Sequence, residues 1–349
     1  MTESTIQRFD RSNMRQLLAR FSSQIEEAVA IGKQARVPIR GAEIRSLVVS
    51  GLGGSAIGGD LLRSYLQGEL EVPFVVNRHY SLPDFVGRNS LVIISSYSGG
   101  TEETIAAHRE AKRRGAKVLC ISSGGDTGKL AKKFHEPLIV IPKGYPPRAA
   151  LGLSFFPLLV ALRKIGLIGP RDGDIRETIA AVKRKAKVYS SLDFEKNPAL
   201  ALARQLYGKL PIVYSAADRF DVVNLRWRGQ FAENAKVLAF GHVIPEMNHN
   251  ELVGWRVLQR QMQDMAVIFL RDAKDHERVK IRMDITKGIV SEFAARIIDV
   301  HSEGRSLLAR IFSLIYLGDW TSYYLAILNG IDPTPVRVID YLKWELEKR

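Results

Sequence analysis

The 349-residue chain is 46% hydrophobic and 25% charged, proportions that exclude a disordered or fibrous chain, and its length predicts two domains of roughly 150 residues, each with its own core. Its single cysteine, Cys120, excludes an intrachain disulfide, and no uninterrupted apolar run approaches the roughly 18 residues of a membrane span, so no membrane partner is expected. The net charge of +14 is scattered, with its densest runs (112–114 and 183–187) inside helical patterns, which argues against a nucleic-acid partner and for a positive field that attracts an anionic metabolite.

The chain opens without the basic stretch and apolar core of a secretory signal, and the expected compartment is the cytoplasm. Residues 1–37 carry apolar residues at helical spacing and predict an N-terminal helical arm, ended by Pro38 and Gly41. Short β-branched runs follow at 44–50, 72–77, 91–95, 117–122 and 137–141, most of them separated by helix-length segments. Strands apolar on both faces and alternating with helices predict an α/β domain with a covered parallel sheet, spanning 38–168. Glycines, a proline and aspartates at 166–174 read as a linker. The same logic resumes over 169–349, with helices at 175–190 and 197–206 and strands at 211–215, 236–240, 265–270 and 296–301. Helices at 304–329 and 335–348 close the chain, and the two halves read as a structural duplication.

Two loops in the first half carry ligand chemistry. The first strand runs into Ser50-Gly-Leu-Gly-Gly-Ser-Ala56, whose glycines let backbone approach a ligand while a helix start attracts anions. Gly51, Gly53 and Ala56 also fit the dinucleotide pattern G-x-G-x-x-A, but Asn77-Arg78 stands where a nicotinamide site wants an acidic residue; a phosphorylated dinucleotide stays open at this point. The third strand runs into Ser95-Ser-Tyr-Ser-Gly-Gly-Thr101. Ser96, Ser98 and Thr101 offer three hydroxyls at a strand-to-helix turn, suited to a phosphate monoester without any lysine, although such hydroxyls also cap helices.

These residues resemble a known family. Gly53-Gly-Ser55 and Ser96-Tyr-Ser-Gly-Gly-Thr101 are similar to the sugar isomerase (SIS) domain signature. Phe231-Ala-Glu-Asn-Ala-Lys236, Pro245-Glu-Met-Asn-His-Asn-Glu251 and the stretch from Asp332-Pro-Thr-Pro to Lys343 resemble the bifunctional phosphoglucose/phosphomannose isomerases, over roughly residues 40–345. One departure is Gly100, where the family usually has asparagine. The resemblance implies two SIS-type parallel-sheet sandwich domains and an aldose-ketose isomerase acting on glucose 6-phosphate and fructose 6-phosphate, with mannose 6-phosphate as a second substrate. Phosphate falls to Ser96, Ser98 and Thr101, and further substrate contacts to Gly53, Gly54 and Ser55. Isomerisation through an enediolate calls for a base, a ring-opening group and a cation beside the oxyanion. The resemblance assigns the base to Glu233 and ring opening to His249 with Lys343, the histidine reaching the site from a partner subunit, which implies a homodimer. Arg148, after two stiffening prolines, is the candidate cation.

No cofactor is expected. The seven histidines are dispersed, and His242 with His249 lacks zinc-ligand spacing, so no metal is expected either. Two other classes compete: a non-catalytic sugar-phosphate sensor built on SIS domains, and an NADP-dependent oxidoreductase.

Overall fold

The computed structural model describes residues 1–217 and 219–348, which form two compact units. One comprises 20–180 with 306–309, the other 1–19, 181–305 and 310–349. In chain order the helices are α1 (Glu3–Phe9), α2 (Met14–Ala19), α3 (Phe21–Gln34), α4 (Gly53–Leu66), α5 (Glu102–Arg113), α6 (Gly125–Lys133), α7 (Leu151–Ile165), α8 (Asp172–Tyr189), α9 (Pro198–Leu206), α10 (Asp221–Gln230), α11 (Gln259–Met262), α12 (Glu277–Val290), α13 (Leu307–Leu328) and α14 (Arg337–Glu347). The strands are β1 (Ser46–Ser50), β2 (Phe74–Asn77), β3 (Ser90–Ser96), β4 (Lys117–Ser122), β5 (Leu138–Val140), β6 (Leu210–Ala216), β7 (Phe240–Ile244), β8 (Met265–Arg271) and β9 (Arg296–His301).

The 20–180 unit is built on a parallel five-stranded sheet in the order β2-β1-β3-β4-β5. β1 and β3 are buried at every position, as their unbroken apolar runs predict for a sheet covered on both faces. α7 is buried over almost its whole length. It can pack closely on α3 because Gly32 lacks a side chain: a Cβ there would lie 2.9 Å from that of Val160.

The second unit holds a parallel four-stranded sheet in the order β7-β6-β8-β9. The apolar run 236–240 reads as a strand, yet pairing starts at Phe240 against Ile212. Lys236 is left-handed at φ 57° and ends a helical turn, so the chain is still leaving that turn where the sequence suggests a strand. α13 is long and apolar enough to cross a membrane by length and composition, but 83% of its apolar window is buried in the fold, where Tyr316, Trp320, Tyr323 and Tyr324 pack on one another. It is the core helix of this unit.

Asp275, just before α12, is partly buried, and desolvation aided by the Asp272 charge pushes its carboxyl up to about 6. A carboxyl raised above its unfolded value of about 3.9 contributes fully at low pH and loses that contribution as pH rises through 6. Asp275→Asn keeps an acceptor for the Asp272 N–H, which now donates to Asp275 over 3.0 Å. The expected outcome is a gain of about 1–2 kcal/mol at pH 8 after allowing for solvent screening, and none near pH 4, read from urea unfolding at the two pH values.

Candidate functional site

In the 20–180 unit the parallel order places the turns after β1 and β3 side by side, because those strands are direct neighbours. Ser96 is buried at 2% exposure; its hydroxyl donates to Thr101 Oγ1 (3.2 Å) and accepts from the Gly99 N–H (3.1 Å). Ser98 is exposed and accepts from the Gly100 N–H (3.4 Å). Thr101 holds the N-cap position of α5, yet its side chain caps nothing, and α4 also starts without a side-chain cap. The hydroxyls therefore organise the turn rather than cap the helix, and two helix N-termini with their partial positive charge face the loop end of the sheet.

The turns are tied to one another. Ser55 Oγ accepts from the Tyr97 N–H (3.1 Å), joining the two glycine-bearing loops. Gly99 is left-handed at φ 77°, and a Cβ there would fall 1.9 Å from the Gly124 carbonyl oxygen, so the loop after β4 presses directly on it. Gly54 faces Pro147, whose carbonyl oxygen would lie 2.7 Å from a Cβ at 54. Arg148 follows and is buried at 3% exposure. The structure thus gathers Gly53, Gly54, Ser55, Ser96, Ser98, Thr101 and Arg148 at one end of one sheet. Arg78, the residue that kept a phosphorylated dinucleotide open, is held by the Asp60 carboxylate.

In the other unit, Glu233 is half-buried on a π turn, Phe231–Ala235, that extends α10. Wider turns of this kind recur at functional sites because they re-aim a side chain out of helical register. Around it, Asn234 donates to Ser322 Oγ (2.9 Å), and Lys236 Nζ donates to the carbonyls of Glu233 and Pro333. His249 is exposed on a short turn after β7, beside Asn248, which donates to Thr286 (2.8 Å). Glu251 accepts from the Tyr214 hydroxyl, which also receives the Trp255 Nε1 hydrogen (3.0 Å). Burial and the Glu251 charge push the Tyr214 phenol far up, so it is a donor at all working pH.

Glu233 and His249 flank β7 in the chain. Asn224 Nδ2 donates to the His242 carbonyl (2.9 Å) in the middle of β7. Glu233 stands on the π turn that leads into β7, whereas His249 lies on the turn that follows it. Lys343 is exposed on α14 and makes no hydrogen bond or ion pair among the described residues.

The residues give one possible metal-ligand group among those described: His108, Cys120 and Glu136 in the 20–180 unit. His108 Nε2 and Glu136 Oε2 are 2.6 Å apart, closer than the roughly 3.4 Å between tetrahedral ligands of a zinc ion. The pair is a core hydrogen bond, and burial raises the Cys120 thiol far above its ordinary value.

Sequence reasoning assigned nothing to Tyr97, Ser123 or Lys236. The first two are visible only once the topology sets the loops after β3, β4 and β5 in a row, and Lys236 only through its left-handed turn.

Family models match both halves: the SIS domain over residues 42–142, and the bacterial phospho-glucose isomerase C-terminal SIS domain over residues 195–346. A bifunctional phosphoglucose/phosphomannose isomerase from Caldicellulosiruptor bescii is 45% identical over 324 residues, covering 93% of this chain and 96% of that protein. One from Aquifex aeolicus is 38% identical, covering 87% of this chain and 91% of its own. Among solved structures, a hypothetical protein from Thermus thermophilus shares the fold with a TM-score of 0.73 at 15% identity, over 96% of this chain and 89% of that one. With identity of this order over nearly the full length of such relatives, the chain is an isomerase belonging to the bifunctional phosphoglucose/phosphomannose isomerase family.

Proposed function

We propose that the chain interconverts glucose 6-phosphate and fructose 6-phosphate, and accepts mannose 6-phosphate, by proton transfer through a cis-enediolate. Ser96, Ser98 and Thr101 hold the phosphate with the N-terminus of α5, and Gly53, Gly54 and Ser55 contact the substrate beside it. Glu233 moves the proton between carbons 1 and 2, and Arg148 stabilises the enediolate oxygen. His249 and Lys343 open the ring. The observation that carries this reading is the turn after β3, where three hydroxyls leave the helix start uncapped and so available to an anion.

The assembly is a homodimer in which His249 serves the partner's site. Its support is topological: one chain holds Glu233 and His249 at opposite ends of β7. The apolar side chains of α14 add to it, since Val338, Tyr341, Leu342 and Trp344 are all more than half exposed and await cover. The compartment is the cytoplasm, and neither nucleic acid nor membrane is a partner.

A coupled assay on purified protein in EDTA tests the activity; formation of fructose 6-phosphate from both glucose and mannose 6-phosphates is expected, and tight binding without turnover would return the sensor reading. The phosphate loop has its own test. Gly99→Ala is expected to raise KM for fructose 6-phosphate by about tenfold or more, because a side chain at positive φ cannot clear the Gly124 carbonyl. Gly100→Asn enters open space and is expected to keep KM or lower it. Equal effects of the two substitutions would remove the loop from phosphate binding.

A further inference from the structure

Tyr97 sits between the phosphate-binding hydroxyls and is bonded to three other loops. Its N–H donates to Ser55 Oγ (3.1 Å), and its carbonyl accepts from the Ser123 N–H (3.1 Å) and hydroxyl (2.7 Å). Its own hydroxyl donates to the Pro142 carbonyl (3.0 Å) and accepts from the Tyr145 N–H (2.9 Å). That last loop leads through Pro146 and Pro147 to Arg148.

The loop needs such an anchor. Pro142, Pro146 and Pro147 have no N–H to donate, and Gly144 at φ 99° is a soft joint. The two consecutive prolines fix φ, so a restraint on Tyr145 is transmitted to Arg148 with little slack. Pro147 is in turn pressed on Gly54 in the first turn of α4, just after β1. The phenol thus closes a ring of contacts from the phosphate loop, through the 142–148 loop, back to the first glycine loop.

We propose that Tyr97 is a positioning residue: its hydroxyl fixes Arg148 relative to the phosphate loop, so that the non-reacting phosphate sets where the enediolate-stabilising cation stands. The proposal rests on the role given above to Arg148. Misplacing a charged group by a fraction of an ångström costs rate rather than binding.

The test uses full-length wild type, Tyr97→Phe, Arg148→Ala and the double variant, each checked by melting temperature and assayed with fructose 6-phosphate, with inorganic phosphate as competitive inhibitor. Tyr97→Phe removes one oxygen and leaves both backbone links of residue 97 in place. The expected result is a kcat lower by about tenfold, with KM and the phosphate inhibition constant within about twofold of wild type. The double variant is expected to be no slower than Arg148→Ala alone. A phosphate inhibition constant that rises in step with the kcat loss overturns the proposal, because the phenol then serves the phosphate loop itself. Losses that multiply in the double variant overturn it as well, as does wild-type kcat in Tyr97→Phe beside an impaired Arg148→Ala. Full activity of Arg148→Ala is the separate outcome that removes the underlying role of Arg148 and the proposal with it.

Discussion

Replacing Glu233 with glutamine is expected to lower kcat by about 10³-fold while leaving inhibition by inorganic phosphate unchanged. Glutamine matches the side chain in size and can still hydrogen-bond, but it cannot take a proton, and removing a general base costs about 10²–10⁴-fold. The separation of the two readouts follows from the fold: the hydroxyls proposed to hold phosphate belong to β3 and its turn, whereas Glu233 stands on the π turn after α10, in the other unit. Turnover within threefold of wild type would remove Glu233 as the base.

The largest effect on stability is expected at Asp319. Its carboxylate accepts from Arg226 Nε (3.1 Å) and Nη2 (2.8 Å) and from Gln230 Nε2 (2.9 Å), with Arg226 and Asp319 both nearly inaccessible. Asp319→Ala leaves a guanidinium buried without its counter-charge, which costs about 3–5 kcal/mol. The same face of α10 is held by Trp227 Nε1 donating to the Leu314 carbonyl (2.9 Å), and the π turn by Asn234 on Ser322. These bonds dock the helix that carries Glu233 onto α13, so activity is expected to fall with stability. Urea unfolding measures the loss; a change below about 1 kcal/mol would mean that water or a rearranged side chain replaces the carboxylate.

Much of this architecture is legible in the sequence because parallel strands buried on both faces must be apolar throughout. The runs 91–95 and 117–122 could hardly be anything else, and they became β3 and β4. β7 was displaced because apolar composition alone cannot report the left-handed Lys236, which delays pairing to Phe240. The turn after β3 could be read from hydroxyls and glycines at a strand end. Whether those hydroxyls cap α5 could not, since the choice depends on where Thr101 points. Glu233, His249 and Lys343 were candidates only through family resemblance, since each looks ordinary in its local sequence. The partner-subunit role of His249 came from the same resemblance; the topology adds that β7 lies between it and Glu233 in the chain.

Exchange with solvent during turnover separates proton transfer through a base from a direct hydride shift. Fructose 6-phosphate is incubated with the purified protein in deuterium oxide containing EDTA, and the products are followed by NMR. Glucose 6-phosphate and mannose 6-phosphate are expected to acquire deuterium at carbon 2 over repeated turnover, delivered by a base that exchanges with solvent. Products that stay free of deuterium at carbon 2 after many reversible turnovers, or no turnover at all, would overturn the proposed proton transfer.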